Sequence, residues 1–167
     1  MLPTHLLRLA EATLSEARER GLTIATAESC TGGLIVGCLT EIAGSSDVVD
    51  RGFVTYSNAA KTELLGVPAA TIEAVGAVSE EVAVAMAEGA LARSDAGLTV
   101  AVTGVAGPGG GTAEKPVGLV HIATAKTGAA TEHRRMAYGD AGRDRVREET
   151  VVTALEMLRA RISEEAA

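Results

Sequence analysis

The chain has 167 residues, of which 47% are hydrophobic and 2% are aromatic, and its formal net charge at pH 7 is −7. A chain of this length buries one mainly aliphatic core, so we expect a single domain over residues 1–167. The acidic balance argues against nucleic-acid binding, which needs clustered Lys and Arg, and no continuous apolar segment indicates a membrane span or a leader. The two cysteines, Cys30 and Cys38, form neither a disulfide framework nor a metal cluster, which favours a reducing, cytoplasmic location.

Apolar periodicity predicts a strand–helix–strand unit in the first part of the chain. A first helix is predicted to begin with Thr4 as its cap. A short buried strand follows over 23–27, a helix of small residues over 32–43, and a second strand over 48–56 that is bulged around 50–52. Two strands joined through a helix predict a parallel crossover.

The rest of the chain alternates between helices and strands. The predicted order is helix 58–65, a short turn from Pro68, helix 80–93 capped by Ser79, strand 98–102, strand 117–125, strand 131–137 and helix 145–162. The last two strands are too close in sequence for a parallel crossover, so they predict a hairpin. The fold class predicted is therefore α/β, a three-layer α/β/α sandwich with a mixed, mainly parallel sheet.

Three candidate nucleophiles, Ser29, Cys30 and Thr31, lie between the first predicted strand and a helix that opens with Gly32 and Gly33. A side chain on a strand-to-helix turn is exposed, and the amides behind it point at the group it attacks. The glycines allow a substrate to approach closely. Residue chemistry alone does not rank the three, and a Ser or Thr before a helix equally often serves as a cap.

The histidines do not supply a general base for this turn. His5 falls in the first helix, and His121 and His133 fall inside predicted strands. A Ser-His-Asp or Cys-His arrangement is therefore not favoured, which counts against Cys30 as the nucleophile.

Lys61 is the alternative base, and Tyr56 reaches the same rim from a strand end. A lysine desolvated in a cleft loses its proton near neutral pH and can accept the hydroxyl proton of a serine. This partnership favours Ser29. The ordinary alternative is that Lys61 is a solvated helix charge and Tyr56 a packed ring.

A glycine-rich loop that opens with Thr103 and Gly104 predicts a backbone cradle for an oxygen-rich ligand, with a flexible surface loop as the alternative. It lacks the Gly-Lys-Ser/Thr ending of a Walker loop. Arg143, in the loop before the last helix, is a candidate for bidentate phosphate binding. Surface salt bridges with neighbouring acidic residues account for Arg145 and Arg147.

Four motifs in this order resemble the CinA carboxy-terminal domain family over nearly the whole chain. They are Ala27-Glu28-Ser29-Cys30-Thr31-Gly32-Gly33, Tyr56-Ser57-Asn58 with Lys61, Val102-Thr103-Gly104-Val105-Ala106-Gly107-Pro108, and Lys115-Pro116-Val117-Gly118. One departure is that Ala141 and Gly142 separate Asp140 from Arg143, where the family pattern is Gly-Asp-Arg.

The resemblance, which is best to the stand-alone amidase form of the family, implies hydrolysis of the carboxamide of nicotinamide mononucleotide in pyridine nucleotide salvage. It implies Ser29 as nucleophile, Lys61 as base and Tyr56 as its helper. Oxyanion or substrate-binding contacts are expected from Cys30, Thr31, Gly32, Thr103, Gly104 and Arg143. No cofactor and no metal are expected.

A second function class stays open, a non-catalytic nucleotide-binding or regulatory module of the competence- and damage-associated CinA type. A phosphate cradle can bind a nucleotide without reacting with it. The expected partners are a small-molecule nucleotide and, because the chain is so apolar, a second copy of itself in a homodimer, with neither nucleic acid nor membrane.

Overall fold

The computed structural model describes residues 1–165. Its elements are α1 (Thr4–Glu19), β1 (Ile24–Glu28), α2 (Leu34–Thr40), a short 3-10 helix (Ser45–Asp47), β2 (Val49–Val54), α3 (Asn58–Leu65), α4 (Ala69–Val75), α5 (Glu80–Ala92), β3 (Leu98–Gly104), β4 (Leu119–Lys126), β5 (Glu132–Ala137) and α6 (Arg143–Ser163). Across this part of the chain no helix is both long enough and apolar enough to cross a bilayer.

The strands form one five-stranded mixed sheet in the order β2-β1-β3-β4-β5. β1 pairs in parallel with β2 and with β3, whereas β4 runs antiparallel to both β3 and β5. The predicted crossover and the predicted hairpin are thus both confirmed. β1 is buried along its whole length, and β3 and β4 are buried except for one residue at the end of each. Continuous burial of this kind is typical of strands covered on both faces.

Helices cover both faces of the sheet, which confirms the α/β/α sandwich. α1, α2 and α6 pack on one face, where branched residues such as Val100 and Ile122 of the sheet meet Leu155 of α6. α3, α4 and α5 cover the other face, where the strands present alanines such as Ala101 and Ala123. Small residues let a helix lie close to the strands.

The bulge predicted in the second strand is present. Ile24 pairs with Val49 but the next residue, Ala25, pairs with Arg51, so Asp50 is the extra residue. Close packing explains the glycine that follows, because a Cβ on Gly52 would lie 2.9 Å from the side chain of Val36 in α2. The crossover helix α2 therefore sits directly on the bulged strand.

Several predicted boundaries were wrong. α2 begins at Leu34 instead of residue 32, because Gly32 and Gly33 adopt φ angles of +60° and +100°, outside the helical region. Pro3, and not Thr4, precedes the first helix as its cap. The segment after Pro68 is a helix, α4, and α6 starts two residues early, so that Arg143 lies in its first turn and not in a loop.

Candidate active site

Three parallel strands end at one edge of the sheet, and each brings a predicted site residue there. Ser29 follows β1, Tyr56 follows β2, and Gly104 is the last residue of β3. β1 lies between β2 and β3, so the chain turns to opposite sides of β1 at this edge. Such a switch point leaves a crevice beyond the strand ends, which is where open α/β sheets bind ligands.

A cavity of about 560 Å³ occupies this crevice. Its lining residues are Ser29, Cys30, Tyr56, Asn58, Lys61, Ala77, Val78, Thr103, Gly104, Val105, Ala106, Gly107, Gly109, Gly110 and Arg143. The structure thus brings together all of the predicted site residues except Thr31 and Gly32, which adjoin Cys30 in the chain but are not among the lining residues. The lining contains two basic side chains, Lys61 and Arg143, and among the residues that line it there is no carboxylate and no histidine.

Ser29 and Lys61 are in hydrogen-bond contact at the base of the cavity. The Nζ of Lys61 lies 3.1 Å from the Oγ of Ser29 and donates to the carbonyl oxygen of Thr55 at 2.9 Å. Ser29 is 8% exposed and Lys61 is 1% exposed. The Ser29 hydroxyl is consequently not a helix cap, and the Lys61 amine is not a solvated surface charge.

Burial lowers the pKa of Lys61 below its ordinary value, because the desolvated ammonium is disfavoured, while the nearby thiol of Cys30 acts weakly in the opposite direction. None of the salt bridges formed within residues 1–165 includes Lys61. The lysine is positioned by α3, whose first turn is capped by the hydroxyl of Ser57, which accepts from the amide of Ala60 at 3.0 Å. A neutral amine is therefore accessible here at a lower pH than for a solvated lysine.

Cys30 lines the cavity beside Ser29 but is a poorer nucleophile there. Burial raises the pKa of its thiol to about 11, with smaller opposing effects from its own backbone amide, Arg147 and Lys61. The thiolate is the reactive form of cysteine, so this environment disfavours attack by sulfur.

A buried carboxylate that sequence reasoning did not single out organises the turn. Glu28, fully buried at the end of β1, accepts hydrogen bonds from the hydroxyls of Thr26 (3.1 Å) and Thr31 (2.7 Å). It also accepts from the amides of Ile35 (2.8 Å) and Val36 (3.0 Å) in the first turn of α2. The carboxylate of Glu28, and not the hydroxyl of Thr31, therefore satisfies the amides of Ile35 and Val36 at the start of this helix. The signal in the sequence was an acidic residue between a buried strand and the first turn of a helix.

Arg143 bridges two sides of the cavity mouth. Its guanidinium donates to the carbonyl oxygen of Gly107 at 2.9 Å and to the hydroxyl of Tyr56 at 3.1 Å. Tyr56 is 61% exposed, and within residues 1–165 its hydroxyl makes no hydrogen bond to Ser29 or Lys61. The tyrosine thus reaches the site from the rim, through Arg143.

The interpretation of Arg147 as a surface salt-bridge partner was wrong. Arg145 does pair with Glu148 and Glu149, as expected. Arg147 instead donates from Nε to the carbonyl oxygen of Cys30 at 3.2 Å and from a terminal nitrogen to that of Thr31 at 3.0 Å. The contact joins positions 117 residues apart, and no local sequence pattern predicts it.

The other predicted residues have structural partners. The hydroxyl of Thr103 donates to the carbonyl oxygen of Ala77 at 2.9 Å, which leaves its oxygen free to accept from a ligand. His121 and His133 lie on β4 and β5, outside the cavity lining, with ring nitrogens 2.8 Å apart. Within residues 1–165 no group of three or more His, Cys, Asp or Glu side chains is arranged to hold a metal ion.

The comparisons with known proteins agree on one family. The model for the CinA C-terminal domain matches residues 6–162. The chain is 54% identical over 142 residues to a CinA-like protein of Citrifermentans bemidjiense, a match that covers 85% of this chain and 34% of that protein. It is 49% identical over 151 residues to a CinA-like protein of Anaeromyxobacter dehalogenans, which covers 90% of this chain and 36% of that protein. The chain spans about a third of the length of these curated relatives.

Solved structures share the fold over almost their whole length. The competence/damage inducible protein CihA from Agrobacterium tumefaciens superposes with a TM-score of 0.95 at 56% identity, over 98% of this chain and 99% of that one. A competence-damaged protein (CinA) superfamily protein from Escherichia coli superposes with a TM-score of 0.88 at 32% identity, over 96% of this chain and 94% of that one.

Proposed function

We propose that this chain, which belongs to the CinA C-terminal domain family, is a nicotinamide-nucleotide amidase. The reaction proposed converts nicotinamide mononucleotide and water into nicotinate mononucleotide and ammonia. The observation that carries the proposal is the buried, hydrogen-bonded Ser29–Lys61 pair that faces a cavity of about 560 Å³.

In the first half-reaction, neutral Lys61 accepts the hydroxyl proton of Ser29 while Oγ attacks the carboxamide carbon. The tetrahedral intermediate then collapses, its C–N bond breaks, and the leaving nitrogen takes the proton from Lys61 to depart as ammonia. A nicotinoyl ester on Ser29 remains. One N–H of the neutral amine stays directed at the carbonyl oxygen of Thr55, which leaves the lone pair for the serine.

In the second half-reaction, Lys61 takes a proton from water, and the resulting hydroxide attacks the ester carbon. The second tetrahedral intermediate expels the Ser29 oxygen, which recovers the proton from Lys61. The products are the free enzyme and nicotinate mononucleotide, so one water is consumed for each ammonia released.

The negative charge of both intermediates needs hydrogen-bond donors. The amide of Gly32 is already committed, because it donates to the carbonyl oxygen of Ser29 at 3.0 Å. The amides of Cys30 and Thr31 are therefore the donors in this proposal. Both follow Ser29 in the turn between β1 and α2, and within residues 1–165 neither amide donates to a backbone carbonyl oxygen.

Substrate binding is assigned to the other end of the cavity. Arg143 lies at the mouth, and its paired N–H groups match the oxygens of a phosphate. The hydroxyl of Thr103 and the loop that contains Gly104 and Gly107 line the space between this arginine and Ser29. A lining without carboxylates suits an anionic nucleotide.

The test is ammonia release from nicotinamide mononucleotide by the purified protein and by Ser29→Ala. We expect the variant to lose turnover while circular dichroism and thermal unfolding stay unchanged, and Ser163→Ala, on the exposed end of α6, to retain it. Undiminished turnover by Ser29→Ala would remove this serine from the mechanism. Saturable calorimetric binding of the nucleotide with no ammonia release would support the non-catalytic nucleotide-binding alternative instead.

A further inference from the structure

We propose that Arg147 is a positioning residue for the oxyanion site: its guanidinium holds the peptide groups behind Ser29 so that the amide of Thr31 faces the reacting carbonyl. The inference rests on the proposed function, since it assigns a role within an acyl-transfer mechanism. Arg147 does not line the cavity itself.

Planarity of the peptide bond connects this contact to the site. In a trans peptide the C=O of one residue and the N–H of the next point in opposite directions. Arg147 binds the carbonyl oxygen of Cys30 at 3.2 Å, so the N–H of Thr31 must point away from the arginine. Arg147 lines a separate cavity of about 320 Å³ together with Leu34 and Val151, and it is absent from the lining of the catalytic cavity. The N–H of Thr31 therefore points away from the cavity that Arg147 lines and toward the side of the turn on which Ser29 lies.

The carbonyl groups of this turn depend on the arginine. Within residues 1–165 the carbonyl oxygen of Cys30 accepts from no other donor, and that of Thr31 accepts otherwise only from the amide of Leu34 at 3.2 Å. No salt bridge in the same part of the chain occupies Arg147. Hydrogen bonds from a guanidinium are charge-assisted and fix geometry through two parallel donors.

Glu28 and Arg147 secure the turn from opposite directions. The carboxylate of Glu28 binds the hydroxyl of Thr31 from within the core, and Arg147 binds the carbonyl oxygen of the same residue from α6. The glycines that follow are free to adopt other backbone angles, so these two side chains limit rotation of the peptide groups. A donor aligned in advance stabilises the intermediate without reorganisation during the reaction.

The test compares Arg147→Gln and Arg147→Lys with Arg145→Gln, a matched control on the exposed side of the same helix. A misplaced reacting group lowers the reaction rate by about 100-fold. We therefore expect kcat of Arg147→Gln to fall about 10- to 100-fold. We expect its KM for nicotinamide mononucleotide to stay within about twofold, because Arg147 does not line the cavity. Arg147→Lys keeps the charge and one donor and should recover part of kcat.

A second measurement does not depend on the substrate. A fluorophosphonate probe phosphonylates an activated serine with loss of fluoride, and its P=O oxygen occupies the oxyanion site. We expect the labelling rate of Ser29 to fall by the same factor as kcat in Arg147→Gln and to stay unchanged in Arg145→Gln. Thermal unfolding of each variant shows whether a loss of activity is caused by unfolding. If Arg147→Gln does not fold, the kcat and labelling rate of Arg147→Lys decide whether the arginine positions the turn.

Wild-type kcat and labelling rates in Arg147→Gln would overturn the inference, and so would a rise in KM alone. Its failure is distinguishable from failure of the amidase proposal. If the unaltered protein is labelled at Ser29 but releases no ammonia from the nucleotide, the substrate assignment is wrong. The labelling rates of the variants then still decide whether Arg147 positions the turn.

Discussion

Replacing Lys61 by Met tests the central feature of the site, an amine whose pKa is lowered by burial. Met has nearly the same length and volume but neither accepts nor donates a proton. Loss of a general base costs about 10²- to 10⁴-fold in rate, and we expect kcat to fall within this range. In the unaltered protein, kcat/KM should rise with pH through the lowered pKa of Lys61, and the rise should be absent from the variant's residual activity.

The Lys61→Met substitution should also change how the free energy of unfolding depends on pH. Because burial lowers the pKa of Lys61, the unfolded chain binds this proton at pH values where the folded protein does not. The free energy of unfolding therefore increases with pH between the lowered pKa and the ordinary value of 10.5, by about 1.4 kcal/mol for each unit of pH. Below that window both states carry the proton, and above it neither does, so this contribution is constant there. Lys61→Met should lack the increase.

Urea unfolding and initial rates, measured over the same pH series, check both signatures. Lys126→Met is the control, because Lys126 pairs with Leu98 at the opposite end of the sheet from the cavity. The control should keep both the rate and its pH dependence. A Lys61→Met protein with turnover within about threefold of the unaltered chain would refute the role as base. An unchanged dependence of unfolding free energy on pH would refute the argument from burial.

Two further substitutions probe the turn and the cavity mouth. Glu28→Gln should lower the free energy of unfolding by about 1–3 kcal/mol in urea titrations, because an amide NH₂ cannot accept from the donors that now face the carboxylate; equal unfolding midpoints would contradict this. Arg143→Ala should raise KM for nicotinamide mononucleotide about 10- to 100-fold and leave KM for the riboside, which has no phosphate, nearly unchanged. Equal effects on the two substrates would argue against a phosphate contact.

The elements of the fold that depend on local signals could be predicted from the sequence. Ser79 caps α5 as expected, since its hydroxyl accepts from the amide of Val82 at 3.3 Å. Continuous apolar runs identified the buried strands, and the short link around residue 128 identified the hairpin. α4 was missed because only Pro68 marked its start. Its seven residues give too short a window for helical periodicity.

The residues of the candidate site likewise divide into those that local sequence signals predict and those that they do not. Ser29 could be selected because it lies just beyond a predicted strand, and Lys61 because it lies in the helix that follows the neighbouring predicted strand. Parallel strands bring such positions together. Glu28 and Arg147 could not, because their roles depend on which distant groups they meet after folding. A glutamate and an arginine in a polar stretch are ordinarily solvated, and only the packing of α6 against the turn distinguishes Arg147 from Arg145.

The dependence of the turn on α6 has a consequence during protein synthesis. Arg147 is added to the growing chain more than a hundred residues after Ser29. Until that helix has emerged and docked, the peptide groups behind the serine lack the partner that orients them. A nascent chain that already contains Ser29 and Lys61 therefore still lacks the contact that we propose aligns the amide of Thr31. On the proposed mechanism, the centre therefore reaches its full rate only after α6 has docked on the turn that contains Ser29.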